Sequence, residues 1–141
     1  MAQFIGKWQG VEGSMKNYEA FGKAIGLPAE VLAKFKDSTW SINFSKDGDT
    51  WSAENISSTS PTKTFSYQEG KELVTTNLIG RGLKLTATFD SDCKQTVMEQ
   101  TEMDNGWKNI KLVREITGDK MKMTFTELES GVAMTREYTR C

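Results

Sequence analysis

Histidine is absent from this 141-residue chain. The usual proton shuttle, triad base and commonest metal ligand go with it. The sequence also lacks a CxxC pair and a glycine-rich phosphate loop, the common marks of metal or redox sites and of nucleotide sites. Cysteine is limited to Cys93 and Cys141. The first residues, Met1 to Trp8, contain no secretory signal core, so the two thiols are expected to stay reduced. No apolar run approaches the roughly 18 residues of a membrane span. The formal net charge of −1 provides no global field for nucleic acid or an anionic membrane. A cytoplasmic monomer with no cofactor, no metal and no nucleic-acid partner is therefore expected; enzymatic function is not excluded, but it lacks its usual parts.

Proline is almost as scarce, at two residues, Pro28 and Pro61, against 12 glycines. That balance suits strands that keep their backbone donors and are joined by tight turns. Alternation bears this out along the chain. Trp40, Ile42 and Phe44 share one face of a run ending at Lys46-Asp47-Gly48-Asp49. Further runs span residues 50–57, 63–68 and 72–78, the last leading to Gly80-Arg81-Gly82. Leu83, Leu85, Ala87 and Phe89 alternate with polar residues, and residues 95–103 end at Asp104-Asn105-Gly106, a strong hairpin signal. Residues 107–116, 120–127 and 131–140 complete the series. With residues 5–13 there are roughly ten strands, too closely spaced for crossover helices. The expected fold is all-β: an antiparallel up-and-down barrel formed by residues 1–141 as one domain.

One interval has helical spacing instead. Tyr18, Phe21 and Ile25 recur at i, i+3 and i+7 behind Asn17, a candidate N-cap, and Gly26-Leu27-Pro28 closes the segment. Residues 29–36 then place Val31, Leu32 and Phe35 on one face. Two short helices between the first two strands, spanning about residues 17–36, would form a lid over one barrel mouth. Lys34 and Lys36 near its end would allow transient membrane contact, but a solvated helix end explains them as well or better.

The last strand carries the chemistry. Val132, Met134, Arg136 and Tyr138 fall on one face, so an arginine and a phenol occupy an otherwise apolar, inward side. Residues 110, 112, 114 and 116 repeat the anomaly, with Arg114 among Ile110, Leu112 and Ile116. A buried guanidinium without a partner is costly. Two of them with the Tyr138 hydroxyl would attract a carboxylate inside an apolar cavity. Arg114 has a structural alternative, because Glu99 shares the face of Val97 and Thr101 and could neutralise it internally. Trp51, Ala53, Phe65, Met123, Phe125 and Leu112 serve equally as core and as pocket wall.

The chain resembles the intracellular lipid-binding proteins, the fatty-acid-binding and cellular retinoid-binding family. Phe4-Ile5-Gly6-Lys7-Trp8, Asn17-Tyr18-Glu19 with Phe21, and Thr135-Arg136-Glu137-Tyr138 carry the resemblance. It implies a calycin-type clam barrel with a helix-turn-helix lid, carrying a long-chain fatty acid without catalysis. Arg136 and Tyr138 match two residues that hold the ligand carboxylate. Tyr18, Phe21, Ile25, Leu32 and Phe35 would line the portal. Aligning Arg114-Glu115 with the family's Arg-Glu dipeptide puts Leu112 where a third arginine stands. Arg114, two residues away on the same face, then substitutes or the third contact is missing. Four alternatives stay open: a retinoid, bile-salt-like or other bulky ligand, a membrane-associated structural relative, a secreted lipocalin-like binder with a Cys93–Cys141 bridge, and an enzyme using Glu99 with Tyr138.

Overall fold

A computed structural model describes residues 2–104 and 106–141; Asn105 of the expected hairpin lies outside them. A turn of 3-10 helix, Ala2–Phe4, precedes β1 (Gly6–Gly10), α1 (Tyr18–Ile25), α2 (Ala29–Lys36), β2 (Trp40–Asp47), β3 (Thr50–Ser57) and β4 (Lys63–Gln68). There follow β5 (Leu73–Thr76), β6 (Gly82–Ser91), β7 (Lys94–Met103), β8 (Gly106–Thr117), β9 (Lys120–Glu127) and β10 (Ala133–Arg140). The strands form one ten-stranded sheet in the order β4-β3-β2-β1-β10-β9-β8-β7-β6-β5. All of its pairings are antiparallel.

Closure is incomplete. β4 and β5 end the hydrogen-bonded order and do not pair with each other, so the expected ten-stranded barrel is nearly closed. β5 has only four residues, and its whole length is engaged with β6, from Leu73↔Leu85 to Thr76↔Gly82. The free edges face each other across a gap rather than solvent alone. Phe65 and Tyr67 of β4 and Leu83 and Leu85 of β6 line the interior on its two sides.

The apolar core is concentrated at the barrel end away from the helices. Phe4, Trp8, Ile42, Phe44, Trp51, Ile116 and Met121 are buried there in one cluster. Phe4 meets Phe44 and Phe89 edge-on, at ring-centroid distances of 5.8 and 5.4 Å, while Trp51 lies 4.8 Å from Phe89. Offset and edge contacts of this kind suit the aromatic quadrupole. Trp8 donates from its indole to the Phe4 carbonyl at 3.0 Å, which holds the terminal turn as a plug. Arg140 lies over the Trp8 ring at 4.1 Å and donates to the carbonyls of Gln3 and Ile5.

At the other end the two helices cross the mouth. Asn17 precedes α1, but its side chain makes no capping bond. Its backbone is left-handed, with φ 62°, a conformation that asparagine tolerates. The amide instead donates to the Ala133 carbonyl at 2.8 Å. Lys16 and Thr135 exchange two backbone hydrogen bonds beside it. The lid is therefore fastened to β10 at its entry. Gly22 faces Leu32 where the helices meet, and a Cβ there would lie 2.1 Å from Leu32 Cδ2. Cys93 and Cys141 are exposed and unpaired, and among the described residues no helix is long and apolar enough to cross a membrane.

Gly10 is equally constrained, because an added Cβ would fall 2.5 and 2.6 Å from Nε1 and Cε2 of the Trp40 indole. That ring is rigid and packs edge-on to Tyr138, at 6.3 Å. Gly10→Val should displace it and lower stability by about 1–3 kcal/mol, the usual cost of overpacking. The measurement is the urea midpoint, and an unchanged midpoint would mean that the indole is not seated on this glycine.

Candidate functional site

Register explains how polar residues from three strands meet inside the barrel. Gln95 of β7 stands opposite Arg114 of β8, Arg114 opposite Met123 of β9, and Met123 opposite Arg136 of β10. These residues form one row around the wall, directly above the aromatic plug. The next row toward the helices is wholly apolar: Ala87, Val97, Leu112, Phe125 and Met134. Beyond it stand Leu85, Glu99 and Ile110. Above the plug the interior opens into a cavity of about 280 Å³, close to the lower end of small-molecule sites, roughly 300–1,000 Å³.

Arg114 and Arg136 both line this cavity, as do Tyr138, Tyr67 and Trp40. Arg114 donates through Nη1 to Gln95 Oε1 at 2.8 Å, and Gln95 Nε2 donates to the Tyr67 hydroxyl at 2.8 Å. Its guanidinium also lies 5.2 Å from the Phe44 ring centre, on the plug. Arg136 sits among three aromatic rings, 5.1 Å from Phe125, 5.4 Å from Trp40 and 5.6 Å from Tyr138. Such contacts favour the cation by about 0.5–2 kcal/mol each but supply no hydrogen-bond acceptor. Among the described residues Arg114 Nε, Arg136 Nε and Trp40 Nε1 are buried without a hydrogen-bond partner of good geometry, although Trp40 and Arg136 lie close enough to the Tyr138 hydroxyl to favour its ionised form.

Three orphaned donors on cavity-lining residues are unusual, because buried polar atoms are nearly always paired. Burial holds the Arg114 guanidinium below its ordinary range, against the pull of Tyr67, Tyr138 and Glu99, yet arginine keeps its charge in proteins. Burial likewise raises Tyr138, a shift opposed by Arg136 and Arg114. Tyr67 is raised by burial too, against Arg114 and the bond from Gln95. Both phenols are therefore neutral near pH 7 and retain a proton to donate. The arrangement is a set of unsatisfied donors around two positive charges, open toward a hydrocarbon-like space.

The structure separates the remaining candidate residues. Tyr18, Phe21, Ile25, Phe35, Ala53, Phe65, Leu112, Met123 and Phe125 line the cavity, whereas Leu32 and Trp51 are not among its lining residues. Leu32 is taken up by the helix–helix contact with Gly22, and its carbonyl accepts a bond from the Tyr18 hydroxyl at 3.0 Å. Trp51 belongs to the plug, against Phe89. Glu99 lines the cavity but does not neutralise Arg114 by contact. Their reach is limited because Glu99 pairs with Ile110, four residues from Arg114 along β8.

Comparison with known proteins settles the family. A fatty acid-binding protein type 2 of Fasciola hepatica is 31% identical over 126 residues, covering 89% of this chain and 90% of its own. The fatty acid-binding protein of Clonorchis sinensis is 31% identical over 140 residues, 99% of each chain. The chain belongs to the fatty-acid-binding protein family. That family is one of non-enzymatic binding proteins. A solved structure of the Schistosoma mansoni fatty acid binding protein in complex with arachidonic acid matches with a TM-score of 0.87 at 26% identity, covering 100% of this chain and 98% of that one. No protein-family model matches the chain.

Trp40, Gln95 and Tyr67 complete the polar end of this family member's cavity and were not singled out from the sequence. Trp40 read as one of three apolar residues on a strand face. Gln95 headed its strand, where only its in-phase spacing with Val97 and Glu99 could have marked it as inward. Tyr67 shares the parity of Phe65 on β4, and that was its only signal.

Glu99 has a testable consequence for stability. Burial pushes its carboxyl from 4.5 up to about 7, against the lowering influence of Arg114 and Arg136. A carboxyl that binds its proton more tightly when folded contributes most below pH 4.5. That contribution is lost as pH rises through 7. The loss has an upper bound of about 3 kcal/mol. Glu99→Gln should therefore match the wild type in urea titrations at pH 4.5 and exceed it at pH 8. Equal midpoints at pH 8 would show that the carboxyl is well solvated in the folded state.

Proposed function

We propose that this protein binds a long-chain fatty acid within the cavity, with the carboxylate on Arg136, Arg114 and Tyr138 and the hydrocarbon directed toward the lid. The observation that carries this reading is the set of buried, unpartnered donors, Arg114 Nε, Arg136 Nε and Trp40 Nε1, on residues around one cavity end. A carboxylate offers acceptor sites for several such donors at once. At an effective dielectric of about 20, one guanidinium 4 Å away attracts it by about 4 kcal/mol. Trp40 enters this reading as an additional donor. Leu112, in the apolar row, would touch the hydrocarbon, and Arg114 supplies the second positive charge.

The apolar rows above provide the driving force. Each buried methylene contributes about 0.8 kcal/mol, so a chain of ordinary length outweighs the ordering cost of binding. The names of the relatives, and the arachidonic acid in the Schistosoma structure, support this ligand class. We further read residues 1–141 as one binding unit that works as a cytoplasmic monomer. Exchange would occur by local opening of residues 17–36, where the helices are held to the barrel mainly at Lys16, Asn17 and β10.

A ligand-binding arginine and a structural one respond oppositely to replacement. Arg136→Leu should weaken oleate binding roughly 10- to 100-fold, the worth of charge-assisted hydrogen bonds, while leaving the ligand-free protein as stable or more so. Titration calorimetry and thermal melting of the same preparations measure the two effects. Unchanged oleate affinity, or lost stability with affinity intact, would overturn the proposed anchor.

A further inference from the structure

A carboxylate is an unexpected group on the wall of a cavity built to attract one. Glu99 lines that cavity, with Leu85 and Ile110 as its register partners on either side. Among the described residues its carboxyl forms no ion pair: Lys36, Arg81 and Arg140 pair with Glu19, Asp104 and Asp119 instead. Leu85 and Ile110 offer its carboxyl no polar partner inside, where an acid is costly to ionise; Glu99 is half-buried and also borders an outer groove with Lys84, Gln100 and Asn109. On the inner side its chemistry is left for whatever occupies the cavity.

Register gives the distance at which it acts. Gln95 marks the guanidinium row on β7, and Glu99 lies four residues further toward the helices. At roughly 3.3 Å per residue this is about 13 Å along the wall. An extended chain advances about 1.2 Å per bond, so the distance corresponds to roughly eight to twelve bonds. Ile110, beside Glu99, packs in the cluster of Phe21, Ile25 and Met134, which places Glu99 at the lid end. Thr101, two residues on, is buried and also lines the cavity, so the wall is polar there on both sides of one turn of the pleat.

We propose that Glu99 is a specificity-determining residue that accepts a hydrogen bond from a hydroxyl carried in the middle of the ligand's hydrocarbon chain, so that the preferred cargo is a hydroxylated long-chain carboxylic acid. This rests on the fatty-acid reading above, which places the ligand carboxylate at Arg136 and Arg114. A plain saturated chain leaves the Glu99 acceptor facing methylenes. A hydroxyl eight to twelve carbons from the carboxylate meets it. Sites that hold an unpaired polar group discriminate strongly against ligands that fail to pair it.

Titration calorimetry with stearic acid, 10-hydroxystearic acid and 2-hydroxystearic acid tests the assignment on wild type, Glu99→Gln and Glu99→Leu. Wild type should bind the 10-hydroxy acid at least roughly tenfold more tightly than stearic acid, with no such gain for the 2-hydroxy acid. Glu99→Gln, which keeps an acceptor, should retain part of the preference. Glu99→Leu should lose it and bind stearic acid more tightly than wild type does. Equal binding of the 10-hydroxy and plain acids by wild type, or a preference that survives in Glu99→Leu, overturns this inference alone. Failure of all three acids to bind overturns the fatty-acid reading and this inference with it.

Discussion

Placing two guanidiniums inside an apolar barrel constrains everything around them. Desolvating such ions is expensive, and the protein meets only part of the cost from its own groups. Arg114 has Gln95, which in turn has Tyr67. Arg136 has aromatic faces, the Tyr138 hydroxyl beside it and an unpartnered Nε. The unpaired donors that remain are tolerable because the rest of the barrel carries stability elsewhere, in the aromatic plug of Phe4, Phe44, Trp51 and Phe89. A floor that is full and rigid leaves room above it for a cavity. The division of the interior into a packed end and an open end follows from that arrangement.

β10 connects the charged row to the lid. It bears Arg136 and Tyr138 at the row, and Met134 in the cluster with Phe21 and Ile25 of α1. Its first residues also receive the backbone bridge from Lys16 and the amide of Asn17. One strand therefore carries both part of the charged row and the seat of the helices. The opposite side is less constrained, since β4 and β5 leave the sheet unpaired. Lys63 of β4 reaches Thr76 of β5 through a single long side-chain bond of 3.4 Å. The cavity wall is firm on one side and loosely joined on the other.

Several of these features were legible in the sequence because they depend on short-range periodicity. Strand faces alternate at every second residue, so Ile110, Leu112, Arg114 and Ile116 had to point the same way whatever the partner strands did. The helix bounds at Gly26-Leu27-Pro28 followed from residues that cannot continue a helix. Asn17 was legible only in part. Its place before α1 was clear, but its left-handed backbone turns the amide toward Ala133, a residue 116 positions away. The absence of an ion pair between Glu99 and Arg114 also lay beyond periodicity, since two residues can share a face yet stand four residues apart in register.

The sequence by itself determined which side chains face inward, where the turns and the two helices fall, and that positive charge would be buried on two strands. Alternation and turn chemistry are local properties of the chain, and they suffice for those conclusions. Only the tertiary structure decided which inward residues share a row, that Trp40 lies over Gly10 beside Tyr138, that Gln95 rather than Glu99 meets Arg114, and that Leu32 and Trp51 stand apart from the cavity lining. Those outcomes depend on strand register and on the packing of the helices and side chains across the barrel. They are fixed by contacts between residues ten or more positions apart, which no local pattern encodes.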